Sequence, residues 1–95
     1  MARIRTIKPT FWDSEKLGRC SSLARLNFVG LISLADDEGR GRGDTRFLFS
    51  RLHPYSKDIT EKAVVTSMRE LERARFVSFY TIASCRYYVI PGWAE

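Results

Sequence analysis

The residues best placed to do chemistry in this chain lie in one stretch, Asp58 to Arg75, reading DITEKAVVTSMRELERAR. At about 100° per residue, Lys62, Thr66, Arg69 and Arg73 fall within roughly 60° of one another on a helix. Val64, Met68 and Leu71 form an apolar keel on the opposite face. An arginine can bond guanine bidentately in a DNA major groove, and a threonine methyl can meet the methyl of thymine. The stripe is therefore a candidate for reading base pairs. Phosphate contacts, which position without specifying, fall to Arg3, Arg5 and Lys8 near the start, to Arg46, and to Arg86. One count opposes this reading: residues 58–75 carry four cations and four acids, so the stretch is neutral overall.

Other chemistries find less support. His53 is the single histidine and stands near the end of an apolar helix pattern, where a helix-terminal dipole contact accounts for it. It has no partners for a catalytic triad or a metal cluster. Asp36, Asp37 and Glu38 are adjacent and do not converge on one cation without turning the chain; pairing with Arg40 and Arg42 explains them better. Gly39-Arg40-Gly41-Arg42-Gly43 lacks the Gly-Lys-Ser/Thr ending of a phosphate loop and is too short for an RGG-type RNA-binding tract. It alternates as a short edge strand, with both arginines on one face. No nucleophile stands beside a base, so neither an enzyme nor a cofactor or metal is expected.

Ninety-five residues, 44% apolar and 13% aromatic, make one packed domain. Sixteen Lys and Arg against eleven Asp and Glu give a net charge of +5, which favours a polyanionic partner. The charge is uneven, with five cations against Asp44 alone between Arg40 and Lys57. Cys20 and Cys85 have no metal-like spacing and read as reduced thiols, although spacing alone leaves a disulfide open. No apolar run suits a secretory signal or a membrane span, so a cytoplasmic location without membrane contact is expected.

The elements that must position the stripe follow in order. Residues 1–20 read as a basic extended arm meeting Pro9, anchored in the core by Phe11 and Trp12, with a short helical turn from Asp13 to Gly18. Ser21 or Ser22 caps a helix, LARLNFVGLISLADD, apolar on most sides, with Leu23, Leu26, Val29 or Gly30, and Leu34 on one face. Phe28, Leu31 and Ile32 line the other side. Gly30 costs about 1 kcal/mol in a helix interior and suggests close backbone packing. Asp44 caps TRFLFSRLH, stopped by Pro54, with Phe47, Leu48 and Leu52 inward and Arg46 and Arg51 outward. Asp58 and Glu61 stand at capping-box spacing before the striped helix. FVSFYTI and CRYYVI then alternate about Ala83-Ser84 as a hairpin. Pairing Ile82 with Cys85 sets Tyr80 opposite Tyr87, Phe79 opposite Tyr88 and Val77 opposite Ile90. Val77, Phe79, Tyr88 and Ile90 take the core face, with Tyr80 and Tyr87 outward or at a rim. Ala-Ser is a poor two-residue turn, which predicts a longer, looser tip. Trp93 folds back onto the body.

Arm, helix, short strand, two helices and a hairpin make an α+β unit in which residues 44–53 and 60–75 form a helix-turn-helix, the hairpin a wing, and residues 39–43 a third strand. ARIRTIKPTFW, LADDEGRGR and YYVIPGW together resemble the amino-terminal winged-helix domain of bacteriophage and prophage replication proteins, of the replisome-organiser or DnaD-like kind. The resemblance spans nearly the whole chain. It implies a winged helix over residues 21–95 that binds double-stranded origin DNA or helps assemble a replication complex with a helicase or loader. Two positions depart from that family: Arg75 where a helix-to-strand Gly is common, and Ala83-Ser84 where an Asp-Gly-like tip is common. Relatives also commonly continue past the tryptophan, so a fragment, or a protein holding only the binding domain, is expected.

The expected function is thus DNA binding, with the striped helix in the major groove and the arm and wing on phosphates. The alternative is a protein-interaction or oligomerisation module, in which Ile4, Ile7, Phe11 and Trp12 of the arm pair a homodimer.

Overall fold

Four side chains set where the helices start. In a computed structural model describing residues 4–93, Ser14, Ser21, Asp44 and Thr60 each accept the backbone N–H three residues on, from Leu17, Ala24, Phe47 and Ala63, at 3.1–3.2 Å. Each satisfies a donor that a helix leaves orphaned at its first turn. The helices that follow are α1 (Glu15–Gly18), α2 (Ser22–Leu34), α3 (Thr45–Leu52) and α4 (Glu61–Arg73). Thr60 therefore caps α4, where Asp58 was expected. Pro9 likewise opens a 3-10 turn over Pro9–Asp13 instead of closing an extended segment. Proline loses nothing at a first helical position, whose N–H has no partner in any case.

Helix α2 ends three residues earlier than its apolar run suggests, at Leu34. The Asp36 carboxylate explains the stop, because its Oδ1 accepts from the backbone N–H groups of Glu38 and Arg40 at 2.8 and 3.0 Å and folds a turn. Gly39 completes that turn at φ 75°. The core face of α2 is Ala24, Asn27, Phe28 and Leu31, not the Leu23–Leu26–Leu34 line, and Leu26 is 56% exposed. A helix apolar all round gives its period no preferred phase, so the packing partners choose the face. Helix α4 lies against α2 and α3, burying Val64, Met68 and Leu71. At Gly30 the close neighbour is a side chain, since a Cβ there would stand 2.6 Å from Leu52 Cδ2 of α3.

Strands β1 (Arg40–Arg42), β2 (Ser78–Ile82) and β3 (Cys85–Val89) form an antiparallel sheet in the order β1-β3-β2. The hairpin register is the expected one, including Tyr80 opposite Tyr87 and Phe79 opposite Tyr88. Val77, Tyr88 and Ile90 are buried, and Phe79 is half-buried against them. Tyr88 donates its hydroxyl to Leu31 O at 2.7 Å, tying the sheet to α2, and a Cβ at Gly41 would meet its ring at 2.7 Å. The molecule is thus an α+β fold of four α-helices and a small three-stranded antiparallel sheet among the described residues. Phe11 packs on Phe28 at 5.7 Å, but Trp12, expected in the core, is 62% exposed. Trp93 returns to the body and donates Nε1–H to Asp37 O at 3.1 Å.

The hairpin tip is tight, not loose: Ala83 and Ser84 alone make the turn, at φ 50° and 68°. Arg75, at φ 67°, ends α4 in a Schellman arrangement, with Arg75 N–H donating to Glu72 O and Phe76 N–H to Leu71 O, both at 3.0 Å. Left-handed backbone costs an L residue about 1–2 kcal/mol, and glycine escapes most of that. Arg75→Gly and Ser84→Gly should each raise unfolding stability by about 0.5–1 kcal/mol. Urea midpoints at constant m-value measure this; a lower midpoint in either variant would contradict the assigned backbone.

Candidate nucleic-acid interface

Lys62, Thr66, Arg69 and Arg73 all lie exposed on α4, opposite its buried face. Thr66 donates its hydroxyl to Lys62 O at 3.2 Å, so what it offers outward is chiefly its methyl. The acids of α4 are engaged elsewhere. Glu70 accepts from the backbone N–H and the hydroxyl of Ser21, at 2.5 and 2.9 Å, and so fastens α4 to the start of α2. Glu72 accepts from Phe79 N–H at 3.0 Å, bracing the start of β2. Glu61 stands 3.6 Å from Arg46 at the start of α3. Lys62, Arg69 and Arg73 enter no ion pair among the described residues. The neutral count along α4 thus separates in part, with Glu70 and Glu72 bound into the fold and the cations directed outward.

The other candidate residues are not all brought to this face. Arg46 is exposed, and its pair with Glu61 is a loose surface contact that contributes little. Arg86 is exposed on β3 with its guanidinium 4.7 Å from the Phe79 ring, on the side of the hairpin that carries Tyr88. Lys8 is exposed just ahead of the 3-10 turn. Arg5 is spent on the fold: it donates to Ala35 O at 2.8 Å, lies 3.4 Å from Asp37 and covers the Trp93 ring at 5.4 Å. Arg3 lies outside the described residues. The expected pairing of the acidic triplet with Arg40 and Arg42 holds for Asp36 with Arg40, whereas Arg42 turns to Asp44.

What fixes α4 beneath its stripe is a buried polar chain that sequence reasoning missed. His53, Asn27 and Ser67 are 6%, 0% and 2% exposed and come from the end of α3, the middle of α2 and the inner face of α4. His53 Nε2 lies 2.6 Å from Asn27 Oδ1, Asn27 Nδ2 donates to Ser67 Oγ at 2.6 Å, and Ser67 donates to Val64 O at 2.8 Å. Ser67 commits its proton to Val64, so it must accept from Asn27, whose oxygen therefore faces His53. His53 must then carry its proton on Nε2. Every donor points the same way, and the three helices are locked by complementary groups. The signal was present, since a serine flanks the Val64–Met68–Leu71 keel and an asparagine lies within the apolar run of α2.

Burial holds the His53 imidazole below its ordinary pKa of 6.5. Asp36 is also lowered, chiefly by the Arg40 backbone N–H, against a smaller opposing effect of burial. Cys20 is buried and Cys85 exposed, and neither is bridged. Among the described residues no three His, Cys, Asp or Glu side chains are grouped to hold a metal ion, and no helix is long and apolar enough to cross a membrane. No known family model, curated protein or solved structure matches the chain.

The polar chain makes two outcomes measurable. Asn27→Ala leaves the His53 Nε2–H buried without its acceptor and Ser67 Oγ without its donor, and should cost about 1–3 kcal/mol of stability in urea unfolding. The pH dependence follows from the lowered His53 value. The unfolded chain takes up a proton near pH 6.5, and the folded chain does so only at lower pH. The contribution is complete above pH 6.5 and is lost as the pH falls through the folded pKa. Wild type should weaken between pH 7.5 and 5, and His53→Gln should flatten that slope; a flat wild-type profile would contradict the buried neutral imidazole.

Proposed function

We propose that this chain is a winged-helix domain that binds double-stranded DNA, of the kind found in phage-type replication proteins. The observation that carries the reading is the sorting of charge on α4. Lys62, Arg69 and Arg73 face outward without ion pairs among the described residues, while Glu70 and Glu72 are taken up by Ser21 and Phe79. In this reading α3 and α4 form the helix-turn-helix, and α4 enters the major groove. Arg69 and Arg73 read guanine edges, and Thr66 offers its methyl. Lys62, Arg46, Lys8 and Arg86 take phosphates, and the β2–β3 hairpin serves as the wing. Arg5 supports this indirectly, by holding the arm against the turn after α2.

A second reading, assembly through the arm, draws on Ile4, which is 96% exposed. Ile4→Ser separates the two. Loss of a dimer in sedimentation supports assembly, and unchanged duplex binding by a monomer supports the DNA reading.

If about five phosphates are contacted, log K for duplex binding should fall against log salt with a slope of about −4 to −5. Arg69→Ala and Arg73→Ala should each weaken binding to a preferred duplex by about tenfold, with a smaller effect on random duplex. A slope near zero, or variants that bind as wild type does, would remove α4 as the reading element.

A further inference from the structure

The outer face of the sheet carries two tyrosines that none of the described helices covers. Strand alternation and the pairing of Arg42 with Tyr87 and of Tyr87 with Tyr80 place these three side chains in one row on the solvent side. Arg40, Val89 and Ser78 make the next row on the same side. Gly41, Tyr88 and Phe79 face the core. The Tyr80 and Tyr87 rings stack at 5.8 Å with 29° between their planes, both half-exposed. They open onto a hollow of about 330 Å³ bordered by Arg40, Arg42 and Ile82, the last 61% exposed. β1 divides this hollow from a cleft of about 620 Å³ toward α3, where Arg42 covers the Phe47 ring at 4.1 Å and Arg51 lies at 6.0 Å from it.

We infer that this face is a stacking platform for single-stranded DNA, separate from the α4 surface. A cross-strand tyrosine pair can be sheet stabilisation alone. Here, however, the rings share their face with Arg40 and Arg42, and β1, β2 and β3 place no acid on it. Asp36 stands at the rim, but its Oδ1 holds the turn, and its contact with Arg40 is 3.7 Å between half-exposed groups. The Arg42–Asp44 pair, at 3.5 Å, is similarly exposed. Such pairs yield to a phosphate. Flat aromatic faces with flanking guanidiniums suit a strand whose bases are free to stack while its backbone follows the cations. A duplex keeps its bases stacked on one another and offers these rings nothing. The choice of a deoxy strand rests on the proposed DNA-binding function of the chain.

Fluorescence anisotropy with labelled dT15, rU15 and a random-sequence duplex tests this on the whole chain. Tyr80→Leu and Tyr87→Leu keep an apolar side chain on the sheet and should each weaken dT15 binding by about tenfold. Tyr80→Phe and Tyr87→Phe should bind dT15 as wild type does, because stacking needs the ring and not the hydroxyl. Arg69→Ala should leave dT15 binding within about twofold of wild type, and the Leu variants should leave duplex binding within the same margin. Failure of α4 as a duplex reader would thus show in a different arm. Circular dichroism and urea midpoints confirm that each variant is folded, and the Phe variants carry the comparison should a Leu variant unfold. Absence of dT15 binding, loss in the Phe variants, or folded Leu variants that bind dT15 as wild type does would overturn the platform. rU15 binding as tight as dT15 would overturn the deoxy preference.

Discussion

The arrangement of the three larger helices rests on one buried polar chain. Asn27, His53 and Ser67 each come from a different segment, and Ser67 passes the chain on to the Val64 carbonyl of its own helix. Apolar contact alone is tolerant of sliding, because leucine against leucine is nearly as favourable one notch along. A hydrogen-bonded chain with a fixed donor direction is not tolerant, since a shift of one residue leaves groups buried and unpaired. The core of Leu31, Leu48, Val64, Met68 and Leu71 supplies the bulk of the stabilisation, and the polar chain selects one register for it. The outward stripe of α4 inherits its orientation from that selection.

Around this centre the charged residues do two kinds of work. Glu70, Glu72, Asp36 and Arg5 spend their charges on backbone groups, closing helix ends and turns that would otherwise be left open. Among the cations that remain, Lys62, Arg69 and Arg73 line the exposed side of α4, and Arg40, Arg42, Arg46 and Arg51 form a band along β1 and the start and end of α3. A formal charge of +5 is therefore a poor description of the surface. What matters is which carboxylates the fold has already engaged, and that can be read only from the folded chain.

Much of the architecture was legible because single residues announce it. Serine and aspartate caps, Pro54, and period-two alternation about residues 83–84 place the elements and the hairpin register, and the keel of α4 is unambiguous because its other sides are charged. The same approach misplaced the inner face of α2, where leucine and isoleucine surround the helix and only the partners choose. Competing caps two residues apart, Asp58 and Thr60, cannot be ranked without the backbone direction. The tight turn at Ala83-Ser84 and the left-handed Arg75 run against local preference, and the sheet and the Schellman bonds outweigh that preference at each point. Of the candidate binding residues, the α4 set stays together on one exposed face. Arg5 does not join it, because nothing in its neighbours signals that a carbonyl thirty positions away will claim it. His53, read as a helix-end residue, is one, yet it turns inward, and its partners lie in segments that no local pattern connects.

Both described ends of the chain close on the same turn. Arg5 binds Ala35 and Asp37, Trp93 binds the Asp37 carbonyl and covers Gly39, and the guanidinium lies over the indole. The arm and the tail are therefore coupled in free energy: each orders a surface on which the other rests, so their order is gained or lost together. Residues 35–39 act as a clasp that turns an open chain into a closed circuit. A disturbance at either end is transmitted to the other through that clasp without passing through the helical core.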